Sequence, residues 1–536
     1  MSTTTTTKLH DRIVGLLPAT PTYNLTVERW IPVIGPDGPD TVGLAGLLDR
    51  AHRLDLDDAG HGPLWRHSME RLLIGIGHLI AQAAPGHDWA AVANSGLPLP
   101  ADGATSVLAR LADRLWLHHP TSPFLQRLDV LSHMDDKPDK PIVEVTDPFW
   151  ALLPDVPSKS NSAWFNRADP DAKTGPADAA NALLVRHTWA VPGNETKNGV
   201  GKARSEGGSA GQGANDLTHL TIGGPTVAAT IARNLIGDWV DRGQRLWFEN
   251  PAGAVGVLAA DDPDPLWLYT ATTASTVLIP MFGGYRVVRS PMPEPPEVAK
   301  QLGTTLKANN PHTVRFTSVD GKTTPTLRLP VPSCGSDLLR RYHSRLAGGR
   351  PLTPSVLDLR GLHVRPARRP MVRALIVIGA GQAAGARVGD VAVAASELAD
   401  LTLPAPAAVR FAELARIIFG PSPSVRSRTA TAISTVRGAD GEDDRKQIRA
   451  SVEHDLTVAA DAVVFRLLSA CRRNADGDLP DRIPVPDSRL LIDTALGCFD
   501  RHVAPLTHRP ATAATAVVQR RRLVRHLTRL LSEETP

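Results

Sequence analysis

Apolar residues in the C-terminal part of the chain recur every three or four positions, which is the spacing of an amphipathic helix. Periodic segments cover 409–419, 445–472, 488–503 and 511–532, and a further helix fits within 425–436. Clusters of proline, glycine and aspartate separate them. In the longest segment one stripe runs for roughly six turns along Ile448, Val452, Leu456, Ala459, Val463, Leu467 and Cys471. The pattern predicts a C-terminal four-helix bundle spanning 403–536.

Residues 1–402 show a different pattern, in which short strand-like and helical runs are broken by many glycines and prolines. Helical spacing occurs at 44–54 and 64–80, whereas apolar and polar residues alternate along 312–329. Asp320-Gly321 interrupts that alternation, and this dipeptide favours a hairpin turn. We therefore expect an α+β protein, with a large, irregular mixed α/β N-terminal domain followed by the helical bundle.

Length and cysteine usage place the protein among multidomain proteins of a reducing compartment. A chain of 536 residues is too long for one ordinary core. Its three cysteines, Cys334, Cys471 and Cys498, are far apart and odd in number, which favours buried or idle thiols over disulfides or a metal site. The threonine-rich start lacks a signal-peptide pattern, and the apolar windows are too short to span a membrane. We expect a cytoplasmic protein without a membrane partner.

Charge is nearly balanced over the whole chain, at a formal net value of +4, but it is not evenly distributed. Between 340 and 373 nine arginines face one acid, Asp358: Arg340, Arg341, Arg345, Arg350, Arg360, Arg365, Arg368, Arg369 and Arg373. Phosphates would relieve the repulsion among so many guanidiniums, and binding would then weaken steeply with salt. We expect Arg365, Arg368 and Arg369 to contact a DNA backbone; the alternative is surface ion pairing with acids from other segments.

A low-complexity insert, "GNETKNGVGKARSEGGSAGQG", lies between Gly193 and Gly213. Its composition is typical of a surface linker. The alternative is a loop whose backbone amides and lysines bind phosphates when a partner arrives. The sequence leaves both interpretations open.

The stretch "ALIVIGAGQAAG", residues 374–385, resembles a dinucleotide-binding turn. That fingerprint requires a following helix whose N-terminal amides meet the pyrophosphate. Here Gly385 and Gly389 interrupt any such helix, and the next apolar run follows at once. The alternative is an apolar strand that ends in a small-residue turn and presents one long polar side chain, Gln382.

Residues with catalytic or metal-binding chemistry do not form a recognisable constellation. The candidates are His118-His119, His133 and His454-Asp455, and the last pair is typical of the solvated face of a helix. No Walker loop or Ser-His-Asp arrangement is evident. We therefore expect no metal site, no cofactor and no catalytic activity.

Several stretches, in order along the chain, resemble the CasA family, the large subunit of the type I-E CRISPR surveillance complex Cascade. The first is "YNLTVERWIPVIGPDG", Tyr23–Gly38, followed by a helix ending "LLDRAHRL". The others are "LHHPTSPFLQ" at 117–126, "LLPDVPSKSNSAWFN" at 152–166, "NPHTVRFTSVDGK" at 310–322 and "GAGQAAG" at 379–385. The helical C-terminal domain agrees, so the resemblance covers nearly the whole chain.

The resemblance implies that the chain inspects duplex DNA for a protospacer-adjacent motif and wedges the duplex open, so that guide RNA pairs with the target strand. Gln382 corresponds by position to the family's glutamine wedge, and Gly381 and Ala383 allow close backbone approach. Lys322 is the candidate for the family's minor-groove lysine. The alternative for Lys322 is a solvated charge at a hairpin tip.

The resemblance also implies partners and two further contact loops. Gly199, Gly201 and Lys202 are the nearest match to a glycine loop that enters the minor groove at the motif. Asn161 and Phe165 lie in the loop that resembles the family's docking loop for the guide-RNA end of the complex. Expected partners are double-stranded DNA, guide RNA, the other Cascade subunits and a helicase-nuclease recruited after opening. Two alternatives remain: a nucleotide-dependent enzyme using the Gly379–Gly385 turn, and a purely structural scaffold.

Overall fold

The computed structural model describes residues 9–133, 140–153, 174–190, 218–318, 327, 329, 335–347, 349–351, 371–380, 387–397, 401, 403–438, 441–474 and 479–532. These residues combine many helices with small sheets, so the expected α+β class is confirmed. They form two compact units. Unit 1 draws on Met1–Thr313, Thr353–Arg368 and Leu375–Val391, and unit 2 on Val314–Leu352, Arg369–Ala374 and Ala392–Pro536. The expected division into domains 1–402 and 403–536 stays a prediction.

The helices are numbered here in chain order. The first twelve are α1 Leu9–Val14, α2 Leu44–Arg50, α3 Gly62–Ala83, α4 Trp89–Ser95, α5 Ala101–Leu111, α6 Ile142–Val145, α7 Pro176–Trp189, α8 Val227–Arg233, α9 Gly237–Arg242, α10 Ala254–Ala259, α11 Pro265–Thr270 and α12 Pro296–Asn309. The others are α13 Gly335–Ala347, α14 Ala405–Phe419, α15 Val425–Arg437, α16 Glu442–Arg473, α17 Val485–Val503 and α18 Pro510–Ser532.

The strands form small sheets. They are β1 Thr22–Asn24, β2 Ile31–Gly35, β3 Gly38–Val42, β4 Asp55–Leu56, β5 Trp116–His118, β6 Asp147–Pro148, β7 Thr218–Gly223, β8 Ala274–Met281, β9 Gly284–Pro291, β10 Phe316–Ser318, β11 Gly349–Pro351, β12 Met371–Ala380 and β13 Arg387–Glu397. The sheet orders are β1-β5, β3-β2-β4, β6-β9-β8, β10-β11 and β13-β12-β7. Strands β8 and β9 pair antiparallel, and Met281 lies opposite Gly284.

Helix α3 is the centre of unit 1, and most of its side chains are buried. Its Trp65 indole donates a 2.8 Å hydrogen bond to Asn181 on α7, and the Asn181 amide donates to the Trp30 carbonyl at 2.8 Å. Trp30 packs edge-on against Phe124, with 6.0 Å between ring centroids. The conspicuous motifs around Trp30 and Phe124 therefore hold the core together.

The five helices described within 403–532 include the four long segments expected from periodicity and the further helix at Val425–Arg437. The buried residues of α16 follow the predicted stripe from Ile448 to Cys471, wherever side-chain burial is described. Acids occupy its first turn and Arg472 and Arg473 its last, which complements the helix dipole. In α15, Ser424 caps the N-terminus and Gly438, at φ +65°, ends the helix. No helix in the described part of the chain is long and apolar enough to cross a bilayer.

Candidate nucleic-acid interface

The residues that the sequence assigned to DNA and guide contacts lie outside the described ranges. They are Gly381, Gln382 and Ala383 of the wedge, Lys322, the glycine-loop residues Gly199, Gly201 and Lys202, the arginines Arg365, Arg368 and Arg369, and the docking-loop residues Asn161 and Phe165. The structure therefore neither brings these residues together nor separates them. It describes the elements that flank several of them.

The flanks of the Gln382 turn are two neighbouring strands of one sheet. Strand β12 ends at Ala380 and β13 begins at Arg387, and β12 also pairs with β7. A connection of six residues is shorter than a parallel crossover requires, so the two strands run antiparallel. Val372 and Ala374 on β12 are buried. Strand β13 begins at Arg387, where a dinucleotide fingerprint needs a helix.

The Pro-His segment that precedes Lys322 anchors β7 through a buried histidine. The His312 carbonyl accepts a 2.8 Å hydrogen bond from the Leu220 amide. The His312 ring Nδ1 lies 2.6 Å from the Leu220 carbonyl oxygen. Burial and the nearby Arg71 charge hold the pKa of His312 well below its ordinary value. The neutral ring therefore donates from Nδ1 to Leu220 and accepts the Tyr269 hydroxyl at Nε2, at 2.9 Å. This histidine has a structural role.

A backbone hydrogen bond in unit 2 joins residues on either side of the Asp320-Gly321 dipeptide. The Leu327 amide donates to the Val314 carbonyl at 2.9 Å, and these residues are equidistant in sequence from 320 and 321. In a regular ladder with a two-residue turn at 320 and 321, the hydrogen-bonded pairs alternate outward from 319 and 322, so 314 and 327 would not bond. The bond therefore does not support a two-residue turn, and the hairpin stays a prediction. The dipeptide itself and Lys322 lie outside the described residues.

Helices α13 and α14 form a basic cleft of about 460 Å³ in unit 2. Its lining includes Arg340, Arg341, Arg345 and Arg416, together with Ser344. Arg345 and Arg416 are exposed. The sequence singled out the first three arginines through their local charge bias, but it gave no reason to group them with Arg416. Only the packing of two helices far apart in sequence brings them together.

One carboxylate lies among three guanidiniums beside this cleft. Glu453 on α16 accepts from Arg340 at 3.2 Å, from Arg341 at 2.8 Å and from Arg426 at 2.5 Å. Burial opposes ionisation of Glu453, but the charges of the three arginines outweigh it and lower the carboxyl pKa. Three arginines from two other helices thus share this one carboxylate.

The sequence interpretation of His454-Asp455 as a solvated pair is correct for His454 and wrong for Asp455. His454 is exposed, whereas Asp455 accepts hydrogen bonds from Arg501 at 3.2 Å and from the Cys498 thiol at 3.6 Å. His502 Nε2 lies 3.2 Å from the same carboxylate oxygen. The expectation of buried thiols is confirmed for Cys471 and Cys498; burial raises the pKa of Cys471 to about 11. Cys334 lies outside the described residues.

Comparison with known proteins identifies the family. A family model described as CRISPR-associated protein Cse1 matches residues 24–330, which is more than half of the chain. The chain belongs to the Cse1 family. A relative from Thermus thermophilus, named CRISPR-associated protein CasA/Cse1, is 31% identical over 188 residues, which is 34% of this chain and 34% of the relative. The aligned part thus spans about a third of the relative's length. The expected CasA resemblance is confirmed.

Solved structures of the Cse1 family share the fold along nearly the whole chain. A crystal structure of a CRISPR-associated protein from Thermus thermophilus superimposes with a TM-score of 0.66 at 20% identity, covering 96% of this chain and 100% of the other. A chain of a CRISPR RNA-guided surveillance complex gives a TM-score of 0.61 at 15% identity, covering 94% and 99%. At these identities the similarity establishes the fold.

Proposed function

We propose that this chain is the large subunit of a type I-E CRISPR RNA-guided surveillance complex. In this role it reads the protospacer-adjacent motif in duplex DNA and opens the duplex beside it. The observation that carries the proposal is membership of the Cse1 family, and the fold shared with a chain of an RNA-guided surveillance complex supports it. The partners are double-stranded DNA, guide RNA and the other Cascade subunits. Base pairing with the guide then reads the target sequence, while the protein reads only motif and shape.

Gln382 is the wedge in this proposal. Its turn follows β12 and precedes β13, and both strands belong to one sheet. The sheet therefore holds the turn in place while the side chain is inserted between base pairs. Unstacking a base step costs about a few kcal/mol, which contacts to the opened DNA must offset. Gly381 and Ala383 leave room for close approach of the backbone to the duplex. Lys322 reads the minor groove near the motif. Different base pairs present similar hydrogen-bonding groups in that groove, so several motifs are accepted.

Contacts with phosphates supply most of the binding free energy in this proposal. Arg365, Arg368 and Arg369 contact the DNA backbone. The cleft lined by Arg345 and Arg416 adds a second cationic surface in unit 2. Phosphate contacts position the DNA but carry no sequence information.

Two loops complete the proposed interfaces. The loop with Gly199, Gly201 and Lys202 approaches the minor groove at the motif. Asn161 and Phe165 dock the subunit onto the guide-RNA end of the complex. A helicase-nuclease recruited after opening cuts the DNA, so this chain acts without catalysis or a cofactor.

Two rival functions make different predictions. A nucleotide-dependent enzyme using the Gly379–Gly385 turn should bind a nicotinamide or flavin nucleotide on its own. The strand that begins at Arg387 weighs against it, because the pyrophosphate-binding helix has no place there. A purely structural scaffold should leave target opening unchanged when Gln382 is replaced.

The proposal is tested by target opening with a guide-loaded complex. The complex is assembled with or without this chain and presented with targets whose positions beside the protospacer are randomised. We expect opening to require the chain and to favour a few motifs. Opening that occurs equally well without the chain, or shows no motif preference with it, would contradict the proposal.

A further inference from the structure

Three side chains with metal-binding donors converge between two helices of unit 2. Asp455 lies on α16, and Cys498 and His502 lie four residues apart on one face of α17. One donor atom from each residue lies within 4.8 Å of the other two. No other group of three such residues meets this condition within the described part of the chain.

Two of the three donor separations match those of ligands on one tetrahedral metal ion. In tetrahedral zinc, metal–ligand distances of about 2.3 Å to sulfur and about 2.0 Å to nitrogen or oxygen place sulfur and oxygen about 3.5 Å apart, and nitrogen and oxygen about 3.3 Å apart. Here Cys498 Sγ lies 3.6 Å from Asp455 Oδ2, and His502 Nε2 lies 3.2 Å from the same oxygen. The third pair, Cys498 Sγ and His502 Nε2, lies within 4.8 Å.

Metal binding here exchanges existing partners of the ligands for the cation. Arg501 donates to the Asp455 carboxylate at 3.2 Å and releases it when the ion binds. A bound zinc-like ion deprotonates a coordinating thiol, and the proton leaves to solvent. Arg501, whose side chain is 62% exposed, has room to turn aside.

Access and donor type define the class of ion. The side chains of Asp455 and His502 are 24% and 16% exposed, so water can reach the fourth position. Ser451, one turn before Asp455, places its hydroxyl 3.5 Å from His502 Nε2 and can hold that water. Thiolate and imidazole donors favour Zn²⁺ or Co²⁺ over Mg²⁺ or Ca²⁺.

We propose that Asp455, Cys498 and His502 form a Zn²⁺-class metal site that ties helix α16 to helix α17. Ligand sites of this kind are built in helical bundles from side chains on facing helices. The bound ion joins the two helices at a point where the metal-free protein has only a hydrogen-bonded cluster. The site is independent of the proposed DNA contacts.

The test is a titration of the full-length chain with Co²⁺ under reducing, chelator-free conditions. We expect one equivalent to produce the visible bands of tetrahedral Co²⁺ together with a thiolate-to-cobalt band in the near ultraviolet, and Zn²⁺ to abolish both. Cys498→Ala should lose the thiolate band. Cys471→Ala, which removes another buried thiol of the same helical unit, should keep it.

Thermal unfolding provides a second measurement on the same proteins. Zn²⁺ should raise Tm for the wild type and Cys471→Ala but not for Cys498→Ala, with each variant first shown to unfold cooperatively in chelator. His502→Gln, which keeps the cysteine, should weaken the visible bands. The proposal is overturned if the wild type gives no tetrahedral bands, or if Cys498→Ala keeps the thiolate band.

Discussion

Burial controls the charge state of four histidines in unit 1. Burial lowers the pKa of His78, His118 and His187 to about 4, and it holds that of His312 well below its ordinary value. Each is therefore neutral in the folded protein at pH 6. Their rings act as fixed hydrogen-bond partners, as in the 2.6 Å contact between His187 Nε2 and the Thr270 carbonyl oxygen.

These histidines predict a loss of stability on mild acidification. Below an unfolded pKa of about 6.5 the unfolded chain binds protons that the folded chain does not, so the free energy of unfolding falls as pH drops toward 4. Well between the unfolded and folded pKa values, each histidine lowers the free energy of unfolding by about 1.4 kcal/mol per pH unit of acidification. Denaturant unfolding at several pH values between 7 and 5 measures the slope.

Two histidine variants separate this effect from the titration of carboxyl groups. His187→Gln should reduce the slope by up to one proton's contribution, because it removes one buried ring. His454→Gln, at an exposed position, is the matched control, and its effect on the slope should be smaller than that of His187→Gln. An unfolding free energy that does not change between pH 7 and 5 would refute the assignment.

Helix packing in unit 1 depends on a glycine at the crossing of α3 and α8. A Cβ added at Gly77 would lie 2.3 Å from Ile231 Cγ2, a buried β-branched side chain that cannot move aside cheaply. Gly77→Ala should therefore destabilise unit 1 by roughly 1–3 kcal/mol, despite the better helix propensity of alanine.

Gly256 on α10 is the matched control, since a Cβ there meets no atom within 4 Å. Gly256→Ala should be neutral or stabilising by up to about 1 kcal/mol. Denaturant melts of the two variants measure the difference. Equal unfolding midpoints for the two would show that close contact at Gly77 does not limit the packing.

The cleft between α13 and α14 should contribute to DNA binding through its exposed arginines. Arg345 and Arg416 are exposed, so replacing both with alanine removes two cationic side chains without opening the core. If both contact duplex phosphates, the slope of log affinity against log salt should become shallower by about 2. DNA binding by the assembled complex across a salt series measures this slope.

The control is the double variant Arg482→Ala and Arg489→Ala, which removes the same charge from exposed positions outside the cleft lining. It should leave the salt slope near the wild-type value. Equal salt slopes for the two double variants would show that the cleft is not part of the DNA-binding surface.

For the whole molecule, the sequence predicted those features that depend on local spacing. The stripe from Ile448 to Cys471 identified a buried helix face. Ordered motifs identified the family, which the match over 24–330 confirmed. Each of these signals lies within a short window of residues.

Features assembled by long-range packing were not predictable in this way. Asp455 meets Cys498 and His502 only because α16 and α17 pack together, and no local pattern links residues more than 40 positions apart. Arg426 and Glu453 likewise meet across two helices. The DNA-contact residues assigned from the resemblance stay predictions, since they lie outside the described ranges.

Target opening by a complex that carries Gln382→Ala tests whether this glutamine wedges the duplex apart. Gln301→Ala, at an exposed position on α12, serves as the matched control. The wedge account predicts that Gln382→Ala abolishes or severely slows opening of a motif-bearing duplex, while opening of a target already unpaired beside the motif stays near the wild-type rate. The control variant should open both targets normally. Wild-type opening of the duplex by Gln382→Ala would contradict the wedge and favour a scaffold role.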